Sequence, residues 1–146
     1  MSIIVWDGTT LAADKQATNS GLKHTCTKIF KIGGDLVGFS GDLGYIGGMK
    51  HWLETGAEPQ TFPDHQKDKD DWVGTLVVKP DGRILKYERC AYPIDFSQNK
   101  FMWIGSGRDF AYGALEMGAD AVRAVEVASR YEAFCGLGVD TLTFGD

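Results

Sequence analysis

The sequence predicts an α+β fold in which antiparallel sheets are covered by helices. Short apolar stretches are joined in pairs by tight-turn signals, the pattern of β-hairpins. Three other segments repeat their apolar residues at helical spacing. Hairpins outnumber strand–helix–strand alternations, which separates this chain from the parallel α/β folds.

The elements follow in order. Residues 2–18 read as two strands around Asp7-Gly8, a dipeptide suited to the positive φ angles of a hairpin turn. The stretch KIFKIGGDLVGFSG repeats the arrangement, with strands over 28–32 and 36–40 around Gly33-Gly34-Asp35. In DLGYIGGMKHWLETG, residues Leu43, Ile46, Met49 and Leu53 mark a helix with Asp42 as N-cap and Gly56 as its stop. Residues 57–72 carry two prolines and the charge-dense DHQKDKDD, the composition of a solvated loop.

A third hairpin, GTLVVKPDGRILKYE, turns at Pro80-Asp81-Gly82. FMWIGSG reads as a buried strand entering a glycine turn. Phe110, Ala114 and Met117, then Ala121, Val125 and Ala128, mark two helices. VDTLTF closes the chain as a strand.

The 146 residues suit one domain, 1–146, able to bury a core without disulfides or metals. A formal charge of −5 and a pI near 5.1 disfavour nucleic acid and anionic membranes as partners. MSIIVW lacks the basic start and cleavage site of a signal peptide, and no apolar run is long enough to cross a bilayer, so the expected location is cytoplasmic. Cys26, Cys90 and Cys135 lack paired spacing and read as reduced structural thiols. His24, His51 and His65 stand far apart without ligand partners, and FSGDLG lacks the lysine of a phosphate-binding loop. No metal and no cofactor are expected.

Four stretches occur in an order that carries a resemblance: LAADKQAT, the lysine of TKIF, GFSGDLGY and GSGRDFAYGALEMG. Together they span nearly the whole chain, which resembles the proteasome β-subunit and HslV peptidase family, in particular its short bacterial and phage-type members. The resemblance implies a four-layer αββα sandwich of the N-terminal nucleophile hydrolase type. It also implies homo-oligomeric rings, a peptide or unfolded-protein substrate, and an ATPase unfoldase as a partner open to such rings.

The same resemblance assigns roles. Ser2, exposed as the first residue once Met1 is removed, is the nucleophile, and its own α-amine is the base. Lys28 is the nearby cation that keeps this amine neutral, and Asp14 holds Lys28 charged. Gly41 offers a backbone N–H to the oxyanion, Ser106 hydrogen-bonds the terminal amine, and Thr18 pairs with substrate backbone. Taken singly, each residue has an ordinary structural alternative, such as a strand end, a solvated face or a helix cap. Serine in place of the family's threonine keeps the hydroxyl and loses the methyl that restricts its rotamer.

The hairpin register decides whether the nucleophile position exists. A two-residue turn at Asp7-Gly8 sets Met1 opposite Asp14 and leaves the site empty. A four-residue loop, 7–10, sets Ile3 opposite Asp14 and puts Ser2 on the nucleophile position. The registers differ by two residues, so both keep the same side chains on the same faces. The first supports an inactive scaffold and the second a peptidase; a small-molecule amidase is a third reading on the same fold.

Overall fold

The computed structural model describes residues 2–145. The chain begins with β1 (Ile3–Trp6) and β2 (Leu11–Asp14), followed by a second hairpin, β3 (Gln16–Asn19) and β4 (Leu22–Thr25). Next come β5 (Ile29–Ile32) and β6 (Asp35–Gly41), then α1 (Ile46–Glu54), then β7 (Val73–Val78), β8 (Ile84–Tyr87) and β9 (Ile94–Asp95). β10 (Met102–Gly105), α2 (Arg108–Glu116), α3 (Ala121–Tyr131) and β11 (Val139–Leu142) complete the order.

Two antiparallel sheets stack face to face. One has the order β10-β1-β2-β11 and the other β5-β6-β7-β8-β9. Ile4, Trp6, Leu11 and Ala13 meet Ile29, Leu36, Leu76 and Val78 between the sheets. On the outer face of the first sheet, Ile3, Val5 and Ala12 pack on α2 and α3 through Ala111, Leu115, Ala121, Ala124, Val125 and Ala128. On the outer face of the second, Val37, Phe39 and Val77 pack on Met49 and Trp52 of α1. The result is the αββα layering expected above. It also explains why β1 is apolar at every position: a strand covered on both faces has no solvent side.

The first hairpin uses the four-residue loop. Ile4 pairs with Ala13, Val5 with Ala12 and Trp6 with Leu11, and the Asp7 N–H donates to the Thr10 carbonyl at 3.2 Å. The Asp7 carboxylate holds the loop through the N–H groups of Thr9 and Thr10 at 2.9 and 2.8 Å. Its second oxygen accepts the Ala121 N–H at the start of α3 at 2.8 Å.

Three sequence expectations shift. The β3–β4 hairpin lies where only the end of a strand was expected; its polar, exposed residues hide the period, and its turn is marked only by Ser20-Gly21, both at positive φ. Asp42 caps a 3₁₀ turn over Leu43–Tyr45 rather than α1 itself. In α2 the helical period is right and the phase is wrong: Ala111 and Leu115 are buried, whereas Phe110 and Met117 face outward. α3 follows the expected face, burying Ala121, Val125 and Ala128.

Candidate active site

The site is built where the ends of β1, β2, β6 and β10 meet. Ser2 lies immediately before β1 and is fully buried. Its carbonyl accepts the Gly107 N–H at 3.2 Å, and its Oγ has no hydrogen-bond partner among the described residues. An unpaired buried hydroxyl is unusual in a folded protein and calls for an explanation; the Thr75 and Ser129 hydroxyls share this state.

Asp14 ends β2 and Lys28 immediately precedes β5, so two strands of facing sheets deliver them to one point. Lys28 Nζ stands 2.9 Å from Asp14 Oδ1, and both side chains are wholly buried. The same oxygen accepts the Ile3 N–H at 2.9 Å. Asp14 Oδ2 accepts the N–H groups of Gln16 and Gly136 at 3.2 and 3.0 Å. Four donors thus satisfy a carboxylate that burial would otherwise penalise.

Ser106, at the turn after β10, donates its hydroxyl to Glu132 Oε2 at 2.9 Å; its Oγ lies 3.5 Å from the Ser2 carbonyl. A serine hydroxyl has one proton, and the shorter, charge-assisted bond to Glu132 takes it. Glu132 Oε2 also accepts the Phe134 N–H at 3.0 Å and the Cys135 thiol at 3.3 Å. Burial, then the nearby Asp14 charge and the Glu132 hydrogen bond, push the Cys135 thiol up to about 12. A thiol so reluctant to ionise is no nucleophile near neutral pH, so Cys135 is a structural neighbour of the site.

A cleft of about 780 Å³ adjoins this point. Gly41 and Thr18 both line it, together with Ser40, Asp42, Ile104 and Gly105. Gly41 has φ +123° and Gly105 φ +115°, conformations that side chains strongly disfavour. At Gly105 a Cβ would also collide with the Ser2 carbonyl. The absent side chain there allows Ser2 to sit directly behind the cleft wall.

The structure therefore brings together Ser2, Asp14, Lys28 and Ser106, and places Gly41 and Thr18 in the adjoining cleft. Sequence reasoning missed Glu132, Cys135, Gly136 and Ser40. Ser40 directly precedes Gly41 in the GFSGDLGY stretch, whereas the other three reach the site by long-range packing, their only sequence signal a glutamate and a cysteine three apart before Gly136 at the end of a helical pattern.

No family model matches the chain, and no curated protein matches it in sequence. Solved structures do. HslV from Trypanosoma brucei superposes with a TM-score of 0.65 at 20% identity over 97% of each chain. The chain has the HslV fold. BPH of Thiobacillus denitrificans superposes with a TM-score of 0.70 at 20% identity, over 97% of this chain and 95% of that one. The same BPH in complex with epoxomicin gives 0.66 at 18% identity, over 97% and 96%. The expected likeness to HslV thus holds for the fold across almost the full length. In the HslV fold observed here Ser2 stands at the head of the first strand.

Among the described residues no helix is long and apolar enough to cross a membrane. Also among them, no group of three histidine, cysteine or acidic side chains is arranged to hold a metal ion.

Proposed function

We propose that this chain is a peptidase subunit that cleaves peptide bonds through Ser2 as an N-terminal nucleophile once Met1 is removed. The observation that carries the reading is the Ile3–Asp14 hydrogen bond beside the buried Lys28–Asp14 pair. It sets the residue before Ile3 next to a cation held in place by a buried carboxylate.

In this reading the Ser2 Oγ attacks the substrate carbonyl while the freed α-amine accepts the hydroxyl proton. A hydroxyl is a weak nucleophile without such a base. An α-amine titrates ordinarily near 7.7–8.0, and a neighbouring ammonium favours its neutral, basic form. Lys28 supplies that charge, and Asp14 holds it in place through their 2.9 Å ion pair. The Ser106 oxygen, its proton committed to Glu132, accepts from the amine and orients it. Gly41 is the donor to the developing oxyanion, and Thr18 pairs with the substrate backbone as an added strand does. The amine then returns its proton to the leaving nitrogen, and water, deprotonated by the same amine, hydrolyses the acyl-serine.

The assembly we propose is a homo-oligomeric ring in the cytoplasm, open to an ATPase unfoldase. Phe110 and Tyr131 stack at 5.8 Å on the outer surface of α2 and α3, with Met117 89% exposed nearby, an apolar surface of the kind that subunit contacts cover.

Intact mass tests the reading. Protein made from its native start should be lighter by one methionine and should gain one adduct with epoxomicin, the ligand of the BPH complex, and Ser2→Ala should gain none. Full-length, unlabelled protein leaves Ser2 acylated by Met1, without a base, and the chain is then an inactive scaffold. A protein that is labelled yet cleaves only small amides is the amidase of the third reading.

A further inference from the structure

We infer that the cleft beside Ser2 selects peptides carrying a lysine or arginine side chain, held by Asp70 and Asp71. The inference rests on the peptidase reading and names its substrate class. The cleft is walled by β3 on one side and by the ends of β6 and β7 on the other, with Gly105 against Ser2 at its back. The charged side chains lining it are Asp42, Asp70, Asp71 and Lys86, three carboxylates against one ammonium.

These charges are unequally engaged. Lys86 pairs with Glu88 at 3.2 Å, so its charge is largely answered from outside the cleft. Asp42 accepts the Gly44 N–H at 3.1 Å as a cap. Among the described residues no ion pair engages Asp70 or Asp71. Both are fixed in place by Asp68, whose carboxylate takes their backbone N–H groups at 2.8 and 3.1 Å and is held below the usual carboxylate range by doing so. A peptide lying between Thr18 and Gly41 therefore meets a wall with an excess of negative charge, in a cleft whose back, at Gly105, lies directly against Ser2. Such a wall attracts cationic side chains and repels acidic ones, and this charge arrangement acts on specificity more than on raw affinity.

The experiment uses the processed protein and fluorogenic peptides that differ at one position: arginine, lysine, norleucine or glutamate. Expected kcat/KM favours arginine over norleucine by about tenfold at low salt, mainly through KM, because exposed ion pairs are individually weak and screened. The preference shrinks at high salt, falls to about unity in Asp70→Asn/Asp71→Asn, and returns in Asp70→Glu/Asp71→Glu. Equal rates for arginine and norleucine, or a preference unchanged in the double asparagine variant, overturn the inference while leaving Ser2 catalysis intact. If no peptide is cleaved, the peptidase reading has failed, and fluorescence anisotropy of the same peptides decides the cleft alone. Tighter binding of the arginine peptide that is lost in the asparagine variant supports the charge selection, and equal binding overturns it.

Discussion

The backbone N–H of Ile3 donates to Asp14 Oδ1 at 2.9 Å, the same oxygen that holds Lys28 Nζ at 2.9 Å. One carboxylate oxygen thus ties the start of the first strand to the buried ammonium. The N–H beside the proposed nucleophile and the cation proposed to tune its amine share one anchor, which ties strand register to the placement of the charge.

Removing that anchor strands a buried charge. Asp14→Ala should destabilise the fold by about 3–5 kcal/mol, because Lys28 has no exposed surface and loses its counter-charge. Asp14→Ala combined with Lys28→Met should recover much of the loss, since methionine is an uncharged side chain of similar length and leaves no buried charge unpaired. Urea denaturation of the two variants checks this; a double variant no more stable than the single one would show that the backbone donors of Ile3, Gln16 and Gly136 carry the effect.

Gly105→Ala should disturb the site more than the sheet. Its φ of +115° is costly for alanine, by about 1–3 kcal/mol of local strain, and the new methyl collides with the Ser2 carbonyl. Expected is a cooperative but less stable fold in which epoxomicin labelling is lost. Retained labelling in the folded variant would show that Ser2 does not depend on this close approach.

Much of this arrangement was legible in the sequence, and what was missed has a common cause. Hairpins announce themselves through Gly33-Gly34 or Pro80-Asp81-Gly82, and Asp14 and Lys28 sit in motifs whose order carries the fold. The register of the first hairpin was not legible, because a slip of two residues keeps every side chain on its face and only the Asp7 hydrogen bonds and core shape distinguish the two. The phase of α2 was hidden because Phe110 and Met117, large and apolar, look like core and instead lie on the outer surface. Glu132 and Cys135 were invisible as site residues because they follow α3 and approach Ser2 only through tertiary packing.

Thiol chemistry should separate the three cysteines. Cys90 is exposed and should react with a disulfide reagent at pH 8, whereas Cys135 should stay unlabelled, its thiol pushed up to about 12 by burial. Burial raises Cys26 as well, so it should react slowly. The linkage has a sign. A thiol whose ordinary value of 9.0 is raised in the folded state contributes stability that is full below pH 9 and is lost as pH climbs toward 12. Cys135→Ala should therefore flatten the fall in melting temperature above pH 9; an unchanged profile, or rapid labelling of Cys135, would contradict the environment described.

Finally, the register of the first hairpin should be held from two places. Asp7 satisfies the N–H groups of Thr9, Thr10 and Ala121, so Asp7→Ala should cost about 1–2 kcal/mol, the scale of losing a helix cap, with looser packing at the start of α3. The pairing itself should survive, because Ile4 fills a notch left by Gly38 on the facing sheet, where a Cβ would stand 2.5 Å from the Ile4 Cγ2. A two-residue slip would bring Trp6 or Ser2 to that notch, the one too large and the other polar. Gly38→Ala, which closes the notch, should therefore be the more damaging change and should weaken cross-strand contacts between Ile4 and Ala13 in nuclear Overhauser spectra. If Asp7→Ala alone replaces the Ile4–Ala13 contact with one between Ile4 and Leu11, the loop carboxylate and not the core notch sets the register, and Met1 then takes the place opposite Asp14.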